Sequence, residues 1–293
     1  MHHSTCLLCG SSRLRTNWRY HEKELVKCRS CGFVFMSRIP TEEELRAYYI
    51  GYSYEQPHEV SPITIKRYHE LLNRLEAYRT NSRLLDVGCG IGTFLEIARA
   101  RGWQVFGTEL SETAVQVCEA KGIQMSRTSG MGSLRPEHYS EPFDVVTSFE
   151  VIEHLNKPQA EMTAIAKVVR KGGLFYCTTP NFNSLERILT REKYIDIVYP
   201  EHLSYYTPRT LNRLVTTHGF AKRKLQSTGL SLSRIRASRS QQVTPSVMSG
   251  AGDQDLRGRI ERRAHLRLVR SMANRLLSAL GIGATIKGWW VRG

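Results

Sequence analysis

The sequence predicts an α/β fold, in which a doubly wound, mostly parallel sheet follows a small cysteine-rich module and carries a helical insertion near its C-terminal end. Three observations support this prediction. From Arg83 onward, short β-branched or apolar runs alternate with amphipathic helical stretches, which is typical of βαβ units. Two Cys-x-x-Cys pairs precede these runs, and a basic amphipathic stretch comes before a final apolar run.

Length and composition narrow the class of protein. A chain of 293 residues is long enough for one sizeable core with accessory pieces. It is 41% hydrophobic and 24% charged, and no run approaches the ~20 apolar residues that cross a bilayer, which excludes an integral membrane protein. The N-terminus lacks a basic stretch followed by an apolar core, so we expect a cytoplasmic, reducing location and reduced or metal-bound cysteines.

Five strands and five helices account for most of the chain between the cysteine pairs and the basic stretch. Strands are predicted at 83–87, 104–109, 123–125, 143–149 and 174–180. Helices are predicted at 65–79, 93–101, 112–121, 159–170 and 210–219. The predicted segments are a cysteine module at 1–40, a helical linker at 41–80, the α/β core at 81–235, and a basic helical insertion with the final strand at 236–293.

The two cysteine pairs have the spacing of a metal site. Cys6 and Cys9 are followed, after eighteen residues, by Cys28 and Cys31, which matches the spacing of tetrahedral zinc sites. Four thiolates leave no open coordination position, so such a zinc ion is structural. Two disulfides are the alternative, and a reducing compartment disfavours them.

A glycine-rich turn follows the first core strand. The strand at 83–87 runs into Gly88-Cys89-Gly90-Ile91-Gly92 and then a helix, an arrangement that brings backbone amides against a ligand. The spacing is G-x-G-x-G rather than the dinucleotide pattern, and Asp86 before it suits a cationic ligand better than a pyrophosphate. Glu109, at the end of the next strand, can accept hydrogen bonds from ribose hydroxyls. Together they predict an adenosyl ligand, and an ordinary glycine turn with a surface glutamate is the alternative.

These residues resemble a known family. LLDVGCGIGTFLE, with Phe143-Asp144-Val-Val and Val169-Arg-Lys-Gly-Gly, looks like the motifs of class I S-adenosylmethionine-dependent methyltransferases over roughly residues 63–220. The resemblance implies a Rossmann-like, seven-stranded sheet and S-adenosylmethionine as cofactor. After the third strand the chain reads SRTSGMGSL, without the acidic residue common there, so backbone and Met131 are expected to hold adenine. The expected cofactor site comprises Asp86, Gly88, Cys89, Gly90, Gly92, Glu109, Leu110, Met131, Phe149 and Glu150.

The cysteine module is also similar to known sequences. The stretch VKCRSCGFVFM is similar to modules that precede the catalytic domain in bacterial methyltransferases, including some that act on sugars.

Two histidines are candidates for the base that takes the acceptor's proton. His154 follows the fourth strand, and His202 lies in YPEHLSYYT; both are expected at the carboxyl edge of the sheet, where ligands bind. His202 is preferred because the irregular segment before it can close over substrate, and a structural role is the alternative for each.

Glu150-x-x-Glu153-His154 resembles a pattern of ubiquinone-biosynthesis O-methyltransferases that implies a divalent cation such as Mg²⁺. Local roles for both glutamates are the alternative.

The predicted activity is O-methylation of a small-molecule, sugar or glycolipid hydroxyl in a biosynthetic pathway. C-methylation of a sugar or natural product, and modification of RNA or protein, are the alternatives. The substrate is expected to be a small molecule or glycan, with an anionic or phosphate-bearing one also considered. The sequence leaves the oligomeric state open.

The charge is concentrated near the C-terminal end. Of a formal net charge of +15, most comes from 222–293, where fifteen Lys and Arg face three Asp and Glu. Asp255–Leu280 is predicted to be one basic amphipathic helix with an apolar stripe, and it is expected to recognise something anionic or lie on a membrane surface. A stripe packed on the main domain is the alternative. Because this tail lacks interleaved aromatics, nucleic acid is disfavoured.

Overall fold

The computed structural model describes residues 1–41, 43–45, 48, 60–127, 134–242 and 253–293. The contacts among these residues form two compact units, and each unit is made of three separate stretches of the chain. The first unit comprises Met1–Ile39, Thr179–Leu211 and Leu225–Lys287. The second unit comprises Pro40–Thr178, Asn212–Lys224 and Gly288–Gly293.

Strands and helices are numbered here in chain order. The strands are β1 (Leu14–Thr16), β2 (Leu25–Cys28), β3 (Val34–Met36), β4 (Arg83–Val87), β5 (Gln104–Glu109), β6 (Gln124–Arg127), β7 (Phe143–Phe149), β8 (Val169–Pro180), β9 (Ser204–Tyr205), β10 (Phe220–Thr228) and β11 (Thr285–Arg292). The helices are α1 (Pro62–Leu75), α2 (Thr93–Ala100), α3 (Glu112–Ala120), α4 (Pro158–Val168), α5 (Leu185–Thr190), α6 (Pro208–Thr216), α7 (Leu232–Ser240), α8 (Gln254–Arg262) and α9 (Ala264–Leu280).

The larger sheet has seven strands in the order β10-β11-β8-β7-β4-β5-β6. The pairs β8-β7, β7-β4, β4-β5 and β5-β6 are parallel. The predicted α/β fold with a mostly parallel seven-stranded sheet is therefore confirmed. Three of the five predicted strands have the expected bounds. The strand predicted at 174–180 is the second part of β8, which begins at Val169, and the strand predicted at 123–125 is β6, which begins at Gln124 and ends at Arg127.

The core of the second unit forms around the central strand β4. Leu84 and Leu85 are fully buried, as expected for a parallel strand covered on both faces. Leu84 belongs to a cluster with Val145 of β7 and Leu174 of β8, and the apolar residues Leu72 and Leu75 of α1 cover it. This packing fixes the carboxyl ends of β4, β5 and β7, where the glycine loop and Glu109 lie.

Asp144, in one of the family-like motifs, anchors the opposite end of the sheet. It is fully buried, and its Oδ2 accepts hydrogen bonds of 2.7–2.8 Å from the N–H groups of residues 80–82. Its Oδ1 accepts a bond of 2.6 Å from Arg170 Nε. Breaking such a buried, fully bonded pair is costly, so this motif maintains the fold.

The smaller sheet belongs to the first unit and has the order β1-β2-β3-β9, with all pairs antiparallel. Val34 of β3 lies opposite Tyr205 of β9. Leu25, Val34 and Phe182 are buried in one apolar cluster of this unit. A strand late in the chain therefore completes the sheet that the cysteine module begins.

The predicted single helix over Asp255–Leu280 is wrong in one respect. The chain forms two helices, α8 and α9, separated at Arg263, which has extended backbone angles of φ −111° and ψ 117°. The break lets α8 and α9 contact each other, which one straight helix would not allow.

The final strand is confirmed, because β11 lies beside β10 in the sheet, and the two helices lie between these strands in the sequence. Within the described residues, no helix has the length and apolar composition needed to cross a bilayer.

Candidate functional site

The loop after β4 adopts a conformation that requires glycine. Gly88, Gly90 and Gly92 have φ of +72°, +54° and +73°, in the left-handed region that side chains disfavour. A Cβ on Gly88 would lie 2.5 Å from Val151 Cγ2, and one on Gly92 would lie 2.5 Å from Ile123 Cδ1. Both conformation and space therefore explain the G-x-G-x-G spacing.

Glu109 is joined to this loop. It ends β5, and its Oε2 accepts a hydrogen bond of 2.9 Å from the N–H of Gly90. Its Oε1 accepts bonds of 2.7 Å from the N–H of Leu110 and 3.1 Å from that of Ser111. The structure therefore brings together the loop and the acid that the sequence placed seventeen residues apart.

Asp86 lies under the loop as a buried carboxyl group. It is 2% exposed, and its Oδ1 accepts a hydrogen bond of 2.7 Å from Thr147 Oγ1. Burial raises the pKa of Asp86 to about 7, and the nearby charge of Glu109 adds to this although the bond from Thr147 opposes it. A cationic group bound beside Asp86 would favour its ionised form.

Aromatic side chains pack at the end of β7. The ring of Phe149 lies 5.0 Å from that of Phe94, 5.9 Å from that of Tyr68 and 5.6 Å from that of Tyr176, measured between centroids. Burial raises the pKa of Tyr68 to about 12, with a further contribution from Asp86. Phe149 was predicted for the site. Tyr68 was missed, because on α1 it is one apolar-face residue among several and no motif marks it.

Cys89 and Cys118 pack against each other beneath the loop. Their sulfurs lie 4.0 Å apart, and the thiol of Cys118 donates to the carbonyl oxygen of Gly90 at 3.3 Å. A Cβ on Gly107 would lie 2.7 Å from Cys89 Sγ. Cys89 therefore lies in the predicted loop with its side chain directed toward the packing below it. Met131 lies outside the described residues.

The turn after β7 holds the predicted acidic residues. Glu150 has a φ of +53°, uncommon for a residue with a side chain, and its N–H donates to the carbonyl oxygen of Thr178 at 3.0 Å. Glu153 and His154 follow in a short 3₁₀ turn, Ile152–His154. Glu153 is 2% exposed, and its Oε1 lies 3.9 Å from His154 Nε2. This contact matches the local role considered for Glu153.

His202 lies in the first unit and is buried. Its Nδ1 is 2.7 Å from the carbonyl oxygen of Asp196, and the Tyr205 hydroxyl donates to the carbonyl oxygen of His202 at 2.8 Å. A carbonyl only accepts hydrogen bonds, so Nδ1 carries the proton and a neutral ring has its lone pair on Nε2. In this tautomer Nε2 is the ring atom that can accept a proton.

The four N-terminal cysteines form one cluster. Ligand atoms of Cys6, Cys9, Cys28 and Cys31 all lie within 4.8 Å of one another. The sulfurs of Cys6 and Cys31 are 3.5 Å apart and those of Cys9 and Cys28 are 3.7 Å apart. Tetrahedral zinc with bonds of ~2.3 Å needs sulfurs about 3.8 Å apart. These separations exceed the ~2.05 Å of a disulfide bond, so the four cysteines are not paired as disulfides.

Positive charge lies on one side of this cluster. Beside Cys28 and Cys31, a cleft of about 500 Å³ is lined by four cationic side chains, those of Arg15, Lys27, Arg29 and Arg209. Burial raises the pKa of Cys28. The N–H groups of Cys31 and Ser30 and the neighbouring thiols have a larger, opposite effect, and together they lower this pKa to about 6. Burial instead raises the pKa of Cys31, to about 11, and that of Cys6, so these two thiols would lose their protons when a metal ion binds.

Comparison with known proteins places the chain among methyltransferases. Residues 60–225, more than half of the chain, match the family described as Methyltransferase domain. A relative from Idiomarina loihiensis, named Ubiquinone biosynthesis O-methyltransferase, is 32% identical over 131 residues, which are 43% of this chain and 51% of the relative. A protein of the same name from Leptothrix cholodnii is 26% identical over 196 residues, 61% of this chain and 75% of the relative. The chain therefore spans about half the length of the first relative.

A solved structure shares the fold. The crystal structure of a SAM dependent methyltransferase from Archaeoglobus fulgidus superposes with a TM-score of 0.54 at 20% sequence identity. The match covers 84% of this chain and 100% of that chain.

Proposed function

Because the chain belongs to the family of methyltransferase domains, we propose that it transfers the methyl group of S-adenosylmethionine to a hydroxyl oxygen of a small molecule, sugar or glycolipid. The observation that carries this proposal is the assembly of the glycine loop, the buried Asp86 and Glu109 at one edge of the sheet. The names of the two O-methyltransferase relatives support oxygen as the acceptor atom.

Each part of the assembly has a role in the proposed reaction. S-adenosylmethionine supplies a methyl group on a positively charged sulfur. The glycine loop would accept the methionine portion against its backbone, with Asp86 opposing its positive charge, and Glu109 would bind the ribose hydroxyls. The acceptor oxygen displaces the sulfur in line, so the protein contributes orientation and a base for the hydroxyl proton.

His202→Ala is expected to lower kcat by about 10²–10⁴-fold, the usual contribution of general base catalysis. The reason is that the Nε2 lone pair of His202 would receive the hydroxyl proton. Cofactor affinity should not change. Turnover with a hydroxyl acceptor and calorimetric cofactor titration measure the two quantities.

Two further variants separate chemistry from folding. His202→Asn keeps an N–H donor for the Asp196 carbonyl, so recovered activity in this variant would assign His202 a structural role. His218→Ala is a matched control, because His218 Nδ1 also lies 2.7 Å from a backbone carbonyl, that of Leu214. If His202→Ala retains activity and His154→Ala loses it, the base is His154.

Cofactor binding is expected to release a proton at about pH 6. The pKa of Asp86 in the free protein is about 7, so at that pH the carboxyl is mostly protonated. A cationic ligand favours the carboxylate, and cofactor affinity should therefore rise with pH up to about 7 and then level off. Calorimetry in buffers of different ionisation enthalpy measures the proton count. Release that persists in Asp86→Asn would assign the proton to another group.

Substrate class is tested by cofactor-dependent turnover of phenols and catechols, glycosides, nucleotide sugars and RNA. With a ¹³C-labelled methyl donor, the carbon chemical shift shows whether the methyl group joins oxygen or carbon. Methylation of a carbon would favour the alternative of C-methylation, and turnover of RNA alone would overturn the proposal. Repeating the assay with Mg²⁺ and with a chelator tests whether a cation held by Glu150 and Glu153 activates the acceptor.

The cysteine cluster is proposed to bind one structural zinc ion. The sulfur separations and the cations of the adjacent cleft support this proposal. With zinc, four thiolates carry a net charge of about −2, which the cationic side chains along the cleft oppose. The zinc ion has no step in the proposed reaction.

A further inference from the structure

Helix α9 directs its apolar side chains toward solvent. Leu268, Met272, Leu276 and Leu280 recur every four residues and Val269 lies beside them, so these five form one apolar face. Each of the five is between 59% and 63% exposed. The stripe on α9 therefore does not pack on the protein, contrary to the alternative considered from the sequence.

The opposite side of α9 makes the helix's polar contacts. Asn274 Oδ1 accepts a hydrogen bond of 2.9 Å from the N–H of Gly229, and Ser278 Oγ accepts one of 3.3 Å from the N–H of Ser227. A helix that packs on a water-soluble protein usually buries its apolar face and exposes its polar one. In α9 the apolar face described above is exposed instead, and contiguous exposed apolar surface generally marks an interaction site.

Positive charge accompanies the apolar face. Residues 254–280 contain seven arginines and two acidic residues. One of the acids, Glu261, binds Arg270 with a distance of 2.5 Å between Oε1 and Nη1. Among the side chains that the structure describes along α8, the break and α9, the exposed arginines are Arg259, Arg262, Arg263, Arg267 and Arg275. The partner of this surface must therefore be apolar and anionic.

We propose that α8 and α9 bind the protein to the surface of an anionic lipid bilayer. The apolar face of α9 enters the boundary between headgroups and acyl chains, and the arginines contact the anionic headgroups. At seventeen residues α9 is roughly 25 Å long, and it lies along the bilayer surface rather than across it. This binding is separate from the proposed methyl transfer and does not depend on it.

Charge favours a bilayer over a second copy of the chain. If two copies paired through their α9 faces, their arginines would approach each other within about a Debye length of ~10 Å and repel. An anionic bilayer instead attracts the same arginines while it accepts the apolar side chains. Pairing between copies and binding to an acidic protein are the competing outcomes of the test below.

The test measures sedimentation of the full chain with vesicles made of equal parts phosphatidylcholine and phosphatidylglycerol, and with vesicles of phosphatidylcholine alone. Wild-type protein should bind the anionic vesicles at least ~10-fold more tightly, and added salt should weaken this binding. Leu276→Glu should reduce binding by at least ~30-fold, because it places a carboxylate in the apolar face.

Ser271→Glu is the matched control. It adds the same charge to the same helix at an exposed position outside the apolar face, so its effect should be only a few-fold. Unchanged cofactor affinity in both variants shows that the chain remains folded. Equal losses in the two variants, or no binding of wild type to anionic vesicles, would overturn the proposal. So would a concentration-dependent dimer that dissociates in Leu276→Glu, since the face would then join two copies.

Discussion

Replacing Cys28 with alanine is expected to remove the metal from the N-terminal module and unfold that module. Wild-type protein should contain one zinc ion per chain, and Cys28→Ala should contain none. Cys28 is fully buried within the cluster and begins the turn whose N–H groups favour its thiolate. Structural zinc contributes about 10–16 kcal/mol to folding in small zinc modules, so its loss exceeds the effect of ordinary core substitutions. Elemental analysis gives the metal content, and amide hydrogen exchange over 1–39 reports the unfolding.

Cys177→Ala provides the control for the loss of a thiol. Cys177 is also fully buried, but it lies in β8, outside the cysteine cluster. Its replacement should leave one zinc ion per chain and normal protection of residues 1–39. Wild-type protein that is purified without chelators and contains no metal would contradict the proposed zinc site.

Gly90→Val is expected to weaken cofactor binding by ~100-fold or more, equivalent to about 2.7 kcal/mol. Gly90 has a φ of +54°, a conformation that costs residues with side chains about 1–2 kcal/mol. The new side chain would also occupy the surface where the loop backbone is proposed to meet the cofactor, next to the Gly90 N–H that Glu109 binds. Calorimetric titration with S-adenosylmethionine measures the change.

Gly219→Val controls for backbone strain alone. Gly219 has a φ of +84°, and a Cβ there would have no atom within 4 Å. Both variants should lose comparable stability, whereas only Gly90→Val should lose cofactor affinity. Equal affinities in Gly90→Val, Glu109→Ala and the wild type would refute the cofactor assignment.

Local patterns in the sequence were sufficient to predict the loop and most of its surroundings. The glycine spacing, the strand before it and the acid that ends the next strand all follow from constraints within one strand-loop-helix-strand segment. The same holds for the cysteine pairs, whose spacing follows from the geometry of a single ion. The contacts of Gly90 with Glu109, and of the four sulfurs with one another, agree with these predictions.

Features that depend on tertiary contacts were not predictable in this way. Thr147 supports Asp86 across two neighbouring strands, and nothing in FDVVTSF distinguishes it from an ordinary strand threonine. Similarly, the break at Arg263 lets α8 contact α9, whereas periodicity alone favours one long helix. The hydrophobic pattern of α9 also predicts an apolar face, but it does not show whether this face packs on the protein or is exposed to solvent.

The pairing of β3 with β9 has a consequence for how the protein is made. Met36 leaves the ribosome about 170 residues before Ser204, the first residue of its partner strand. At ~5–20 residues per second, the cysteine module waits on the order of ten to thirty seconds for the strand that completes its sheet. Until then the edge of β3 and the buried side chains of Val34 and Phe35 lack this cover. If the cysteines bind metal early, the newly made module stays compact during that interval. Metal supply should therefore affect the yield of newly synthesised protein more strongly than it affects the stability of protein that has already folded.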